Sequence, residues 1–323
     1  MSSRFYSPRS EAGLWPSVLA RMRQDAWFYA AVLVYTAAGL LFLAAADNSG
    51  GTSYSNYIVP GIRWLLIFLP VVALSYDLIS VIVRFDRRRS LAYRRVFSRR
   101  RISSLLAGLG IMAGIIVFYG TFTSVKTTLP IMSDGFSYDR FQADLDAMLH
   151  FGTDPWRYLH VMEGQQTLTA IVNFNYGPVW FTLCFGVLFF VATSPRADGF
   201  RMRYLMMFMF VWVVIGNLLA GIFLSAGPVY YGHVTGDQDR FAGLLAFLAL
   251  DQGTGSVQEY QQYLWVLYEA RMPGIASGIS AFPSVHVALA TMNALFVLES
   301  SRRWGILAIA YVAIVQALSL IHI

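Results

Sequence analysis

The stretch SAFPSVHVALA, Ser280 to Ala290, puts a proline, a serine and a histidine at the head of an apolar run. Small residues lead into it: Gly274, Ala276, Ser277, Gly278, Ser280 and Ala281. Proline suits the first turn of a helix, because its missing N–H would have no partner there. With Pro283 in that position, the N–H groups of Ser284, Val285 and His286 point off the helix end without internal acceptors. That end carries partial positive charge and can hold a phosphate. Ser284 adds a hydroxyl, and the small residues let backbone approach a ligand closely. An ionisable group just inside a membrane is a functional candidate by default. The competing role for His286 is a hydrogen bond between helices.

The elements that must position these residues are membrane spans. Of 323 residues, 57% are hydrophobic and only 13% charged, against about 25% charged in soluble domains. Seven apolar runs, near 27–46, 61–83, 104–122, 177–193, 204–226, 284–299 and 304–320, are long enough, or nearly so, to cross about 30 Å of hydrocarbon. The predicted fold class is therefore all-α: a polytopic transmembrane helical bundle with about seven spans. The first run is too long and starts too late for a cleaved signal, and reads as an anchor.

Arginines fix the orientation. They precede the first run (Arg21, Arg23), fill 84–101, and lie between the fourth and fifth runs and between the sixth and seventh. Every second connection is basic, which assigns these connections and the N-terminus to the cytoplasm. The net charge of +6 thus reads as topology, and no nucleic-acid partner is implied. The 84–101 segment needs no role beyond topology and lipid headgroups. On the opposite side lie 47–60 and two long connections, 123–176 and 227–283. Long loops in a compact fold are usually functional. Tyr138, Phe141, Leu145 and Leu149 share one face of an interfacial helix. Ser256 with Glu259 forms a capping box before 260–270. Phe241–Leu250 is apolar but too short to span. Cys184, the single cysteine, has no disulfide partner in the chain and reads as apolar filler. His150, His160 and His233 are loop or interfacial residues without metal-ligand spacing. Asp237 and Asp239 follow a turn and are expected to be solvated, and Gly227 and Pro228 to end the fifth run.

The phrase FPSVHVALA resembles the second signature, PSxH, of the type 2 phosphatidic acid phosphatase superfamily, in the branch similar to inositol phosphorylceramide synthases and inositolphosphotransferases. FTSVKTTLPIMSDGFSYDRFQADLDAMLHFGTDPW, 122–156, and FLSAGPVYY, 223–231, resemble further stretches of that branch. The similarity covers roughly 120–317, and the first two spans add nothing to it. The resemblance implies a polytopic membrane enzyme that cleaves or transfers a phosphate or phospho-headgroup of a lipid at the outer face, through a phosphohistidine and without metal or cofactor. His286 would be the general acid. Ser284, Lys126 and Arg271 would hold the phosphate. The implied partners are a lipid phosphate ester and a lipid or polyol acceptor. Lys126, expected in an outer loop just past a span, has a competing role as a snorkelling side chain. The family's first signature, K-x6-RP, is not written after Lys126. An outer-face site would be periplasmic in a bacterium and lumenal in a eukaryote; with no organelle signal evident in the sequence, the expected location is a bacterial inner membrane with the site on the periplasmic face.

The family's nucleophile lies in a third signature, H-x3-D, expected after the last span. No such pattern follows His286 in these residues. The last six, LSLIHI, are also what one frame of a transposon-end sequencing adapter encodes. The expectation is therefore an N-terminal unit 1–103, an incomplete core 104–317 and a non-native tail 318–323. The alternatives are an inactive lipid-binding or scaffold homologue, and a transporter. Against the transporter stands the lack of an internal repeat or of paired interrupted spans.

Overall fold

A 34-residue helix, Arg99–Met132, forms the axis of the molecule. It is about 50 Å long at 1.5 Å per residue. Ser98 caps its start, its hydroxyl accepting from the Arg101 N–H. Its end is closed by Gly135, at φ +104°, whose N–H reaches the Pro130 carbonyl at 2.8 Å. The computed structural model describes residues 13–48, 51–84, 89–162, 171, 174–249 and 257–322.

In chain order the main helices are α1 (Leu14–Gln24), α2 (Ala26–Ala45), α3 (Tyr54–Arg84), α4 (Arg89–Val96), α5 (Arg99–Met132), α6 (Asp139–Leu149), α7 (Asn175–Thr193) and α8 (Arg201–Ile222). They are followed by α9 (Tyr231–Thr235), α10 (Ala242–Leu248), α11 (Val257–Glu269), α12 (Val285–Ser300) and α13 (Arg302–His322). The chain is an all-helical membrane protein. Among the described residues five helices, α2, α3, α5, α7 and α8, are long and apolar enough to cross a membrane. The sixth and seventh runs form α12, apolar but only 16 residues long, and α13, which packs back against it. Among the described residues five of the seven expected runs thus meet the length and hydropathy needed for a span, and α12 and α13 are not confirmed as spans.

The axis explains the first departure from the sequence reading. The run 104–122 extends through the polar TSVKTT to Met132, so Lys126 sits in a helix and not in a loop. Its hydroxyl neighbours do not break the helix because they bond back onto it. Ser124 Oγ donates to the Gly120 carbonyl at 2.6 Å, Thr127 to Thr123 at 2.9 Å and Thr128 to Ser124 at 2.9 Å.

The core gathers around α5. Ile111, Met112, Ile115 and Phe118 are fully buried there, against Phe28 of α2, Leu188 of α7, Tyr204 and Leu205 of α8 and Leu289 of α12. A second core lies at the other end of the bundle, built from Trp156, Tyr230, Tyr231, Phe241, Leu244 and Ile279. It packs the two long connections into one layer. There the predicted interfacial helix is α6, Phe241–Leu250 contains α10, and the 260–270 helix is α11. Ser256 of the expected capping box, and the side chains of His160 and His322, lie outside the described residues. The arginine-rich end carries ion pairs: Arg21–Asp198 at 3.0 Å, Arg101–Asp77 at 3.1 Å and Arg201–Asp25 at 2.9 Å.

Candidate functional site

α12 starts one residue later than the sequence pattern suggests. Ser284 is the N-cap, at φ −74° and ψ 112°, and Pro283 stands outside the helix. The reason is the preference of a serine hydroxyl for this position, where it satisfies an otherwise orphaned donor. Here Ser284 Oγ accepts from the Val287 N–H at 3.4 Å. Its own proton remains for a ligand. The N–H groups of Val285 and His286 have no carbonyl behind them within the helix.

The imidazole of His286 is half-buried on an aromatic shelf. The Tyr176 ring stacks on it, with centroids 4.8 Å apart and 9° between planes. The Trp180 ring lies 4.1 Å away, and its indole N–H donates to the His286 carbonyl at 3.0 Å. Residues four apart on a helix share a face, so Tyr176 and Trp180 present one surface of α7. The turn carrying Tyr176, Asn175–Val179, is π-helical and contains Pro178, which cannot donate to the helix ladder. Such wide turns occur often at functional sites. Sequence reasoning missed both aromatics. Their signal was NYGPVW, a polar and helix-interrupting phrase at the head of a span.

Lys126 reaches the same neighbourhood through packing. Its Nζ lies 5.8 Å from the centroid of the Phe122 ring. Phe122 and Val285 both press on Gly216 of α8, where an added Cβ would come within 3.0 Å of each. Gly216 therefore lets the Lys126 turn of α5 and the head of α12 close on one another. The loop before α12 also lies on Lys126. Gly278, at φ +98°, rests so close that a Cβ there would sit 2.8 Å from Lys126 Cγ. Among the described residues Lys126 has no carboxylate within 4 Å.

Arg271 follows α11 and is exposed, at φ +52°. It lines a cleft with Asn48, Thr127, Leu267, Ser277 and Gly278. It too makes no ion pair among the described residues. Packing through Phe122, Gly216 and Val285 thus brings the Lys126 turn near the head of α12, which carries Ser284 and His286, and Arg271 lines a cleft with Thr127 and Gly278. The two cations without acidic partners make this end of the bundle receptive to an anion. Among the described residues no three His, Cys, Asp or Glu side chains converge as a metal ion would need.

The outer layer holds these parts in place. Asp139, at the start of α6, is buried, and its carboxylate accepts from the N–H of Ala226 at 3.0 and 3.1 Å and of Gly227 at 2.7 Å. This fixes the Gly227–Pro228 turn after α8. Burial pushes the Asp139 carboxyl above its ordinary pKa, against the pull of those donors. The spacing H-x3-D does occur twice before His286, at His150–Asp154 and His233–Asp237. Neither aspartate is bonded to its histidine. Asp154 pairs with Arg240 at 3.1 Å, and His150 Nδ1 lies 2.7 Å from its own helix's Asp146 carbonyl. Asp237 accepts from the backbone of Asp239 and Arg240, while His233 packs on Trp265. His150 stands at the end of α6 and His233 within α9, and Asp237 is exposed.

An all-helical membrane protein with a histidine, a serine and a lysine gathered at one end of its bundle is the class that the fold and site define. The chain belongs to the PAP2 superfamily, whose sequence model matches residues 142–321, more than half of its length. The match includes Arg271, Ser284 and His286 and leaves out Lys126. No curated protein and no solved structure matches the chain.

Proposed function

We propose that this protein acts on a lipid phosphate ester at the outer, periplasmic-type face of a bacterial inner membrane, as a phosphatase or as a phospho-headgroup transferase. The observation that carries the reading is His286 itself. It lies within the family match, behind a serine-capped helix end and flat on Tyr176. Lys126 and the N-terminal turn of α12 hold the phosphate, Ser284 donates its hydroxyl to it, and Arg271 grips it from the cleft. Such donors stabilise charge as it grows on the phosphoryl oxygens. His286, with its ring plane fixed by the two aromatics, protonates the leaving lipid oxygen. Hydrolysis and transfer share this step and differ in whether water or an alcohol accepts the phosphoryl group. The resemblance to inositolphosphotransferases favours an alcohol. The family's nucleophilic histidine and its aspartate have no counterpart after His286 in these residues, and no step through them is assigned.

The test is a pair of purified proteins from the complete reading frame of the gene, wild type and His286→Ala, in lipid vesicles. Phosphate release from a lipid phosphate monoester and headgroup transfer to an added alcohol are both measured. General-acid catalysis contributes about 10²–10⁴-fold, and a loss of that size with normal membrane insertion is expected. Full activity in His286→Ala would remove this histidine from the chemistry. Lipid binding without turnover in the wild type would favour a scaffold. Flux across the vesicle without phosphate release would favour a transporter.

A further inference from the structure

The family match begins at residue 142, yet the loop that leads into the signature is held from outside it. We propose that Tyr57, in the first turn of α3, is a positioning residue for the loop that leads into α12, and that this second span is a working part of the site. This deepens the reading above and rests on it.

The Tyr57 hydroxyl stands between two partners. It accepts from the Ala276 N–H at 2.9 Å and lies 2.7 Å from Thr123 Oγ1. In the second contact either hydroxyl can be the donor. Thr123 is one turn before Lys126 on α5. Ala276 is two residues before Gly278, the residue seated on the Lys126 side chain. One oxygen therefore ties the backbone turn that carries Lys126 to the loop that covers it. The loop needs such a tie. Ala276 has φ +50°, a conformation uncommon for a residue with a Cβ and one that persists when its surroundings dictate it. They do so on both sides. Tyr57 takes the N–H of Ala276, and Tyr260 of α11 donates to its carbonyl at 2.9 Å. Asn56, beside Tyr57, donates to the Pro273 carbonyl at 3.2 Å. The Tyr57 ring is stacked on Tyr119 at 5.9 Å, so removing the oxygen alone leaves the packing.

The test compares Tyr57→Phe with Tyr54→Phe. Tyr54 lies in the same turn and bonds to Thr121 Oγ1 at 2.9 Å, so its variant loses a similar hydrogen bond without touching the loop. In Tyr57→Phe, KM for the lipid phosphate should rise about tenfold, the weight of one hydrogen bond, while kcat changes far less. Tyr54→Phe should keep both constants. Hydrogen exchange of a peptide spanning 274–282 provides a readout independent of turnover. It should quicken at Ala276 in Tyr57→Phe only. If no turnover is found, the same comparison is made on the affinity for inorganic phosphate. Wild-type KM and exchange in Tyr57→Phe, or equal losses in both variants, would overturn the proposal. Activity surviving in His286→Ala would instead overturn the assigned reaction, and the exchange data would still decide whether Tyr57 holds the loop.

Discussion

His286 and Tyr176 lie ring on ring, 9° from parallel, which holds the plane of the imidazole at the head of α12. A proton donor must meet its acceptor within about 3 Å, so fixing the ring plane bears on rate more than on binding. Aromatic pairs of this kind contribute about 0.5–1.5 kcal/mol beyond their buried area. Tyr176→Leu should therefore lower kcat by about threefold to tenfold and leave KM unchanged. Trp180→Phe, which keeps a ring but loses the donor to the His286 carbonyl, should do less. Steady-state kinetics on both variants decide this, and an unaltered kcat in Tyr176→Leu would mean that the shelf is packing only.

Lys126 and Gly278 form a second pair, a cation with a backbone laid across its stem. If the ammonium grips phosphate, Lys126→Met should raise KM by about ten- to a hundredfold, the worth of a charge-assisted hydrogen bond. Lys126→Arg should recover part of it. Gly278→Ala adds a methyl where Lys126 Cγ already stands and strains a left-handed φ, and should move KM in the same direction. Substrate titration of the three variants is the check. A snorkelling lysine would leave KM unmoved in Lys126→Met.

Most of the membrane architecture was legible because apolar runs of the right length have few other fates. The signature was legible because its residues are adjacent in sequence. What escaped was tertiary. The polar TSVKTT looked like a loop, but three of its four hydroxyls bond back onto their own helix, so α5 continues and Lys126 moves inward. Tyr176 and Trp180 look like core in an apolar run until His286 is set beside them. Tyr57 and Ala276 are 219 residues apart, and no local pattern announces a hydrogen bond between them.

Asp139 makes the stability of the outer layer depend on pH. Burial raises its carboxyl above the ordinary value. The folded chain thus keeps a proton that the unfolded chain releases. Stability from this group is complete below the ordinary carboxylate range and falls as pH rises through the raised value. Melting temperatures measured from the ordinary carboxylate range upward should show this decline, and Asp139→Asn should flatten it. The same variant should cost about 1–3 kcal/mol, because an amide presents N–H where Ala226 or Gly227 needs an acceptor. A pH profile identical to wild type would show that Asp139 does not titrate in this window.

Arg201 and Asp25 join α8 to the head of α2 with almost no exposure, 4% and 2% of their side chains. Burial raises the Asp25 carboxyl despite the nearby Arg201 charge, so desolvation outweighs attraction. The pair is then a poor source of net stability, but breaking it is worse. Arg201→Met should cost about 3–5 kcal/mol, because it strands a buried carboxylate. The double variant Arg201→Met/Asp25→Leu should return most of that loss, since an apolar pair of similar volume avoids the desolvation cost altogether. The thermal stability of both variants in detergent, together with that of Asp25→Leu, closes the cycle. A double variant as unstable as Arg201→Met would show instead that the ion pair specifies how α2 and α8 dock, and that its value lies in geometry.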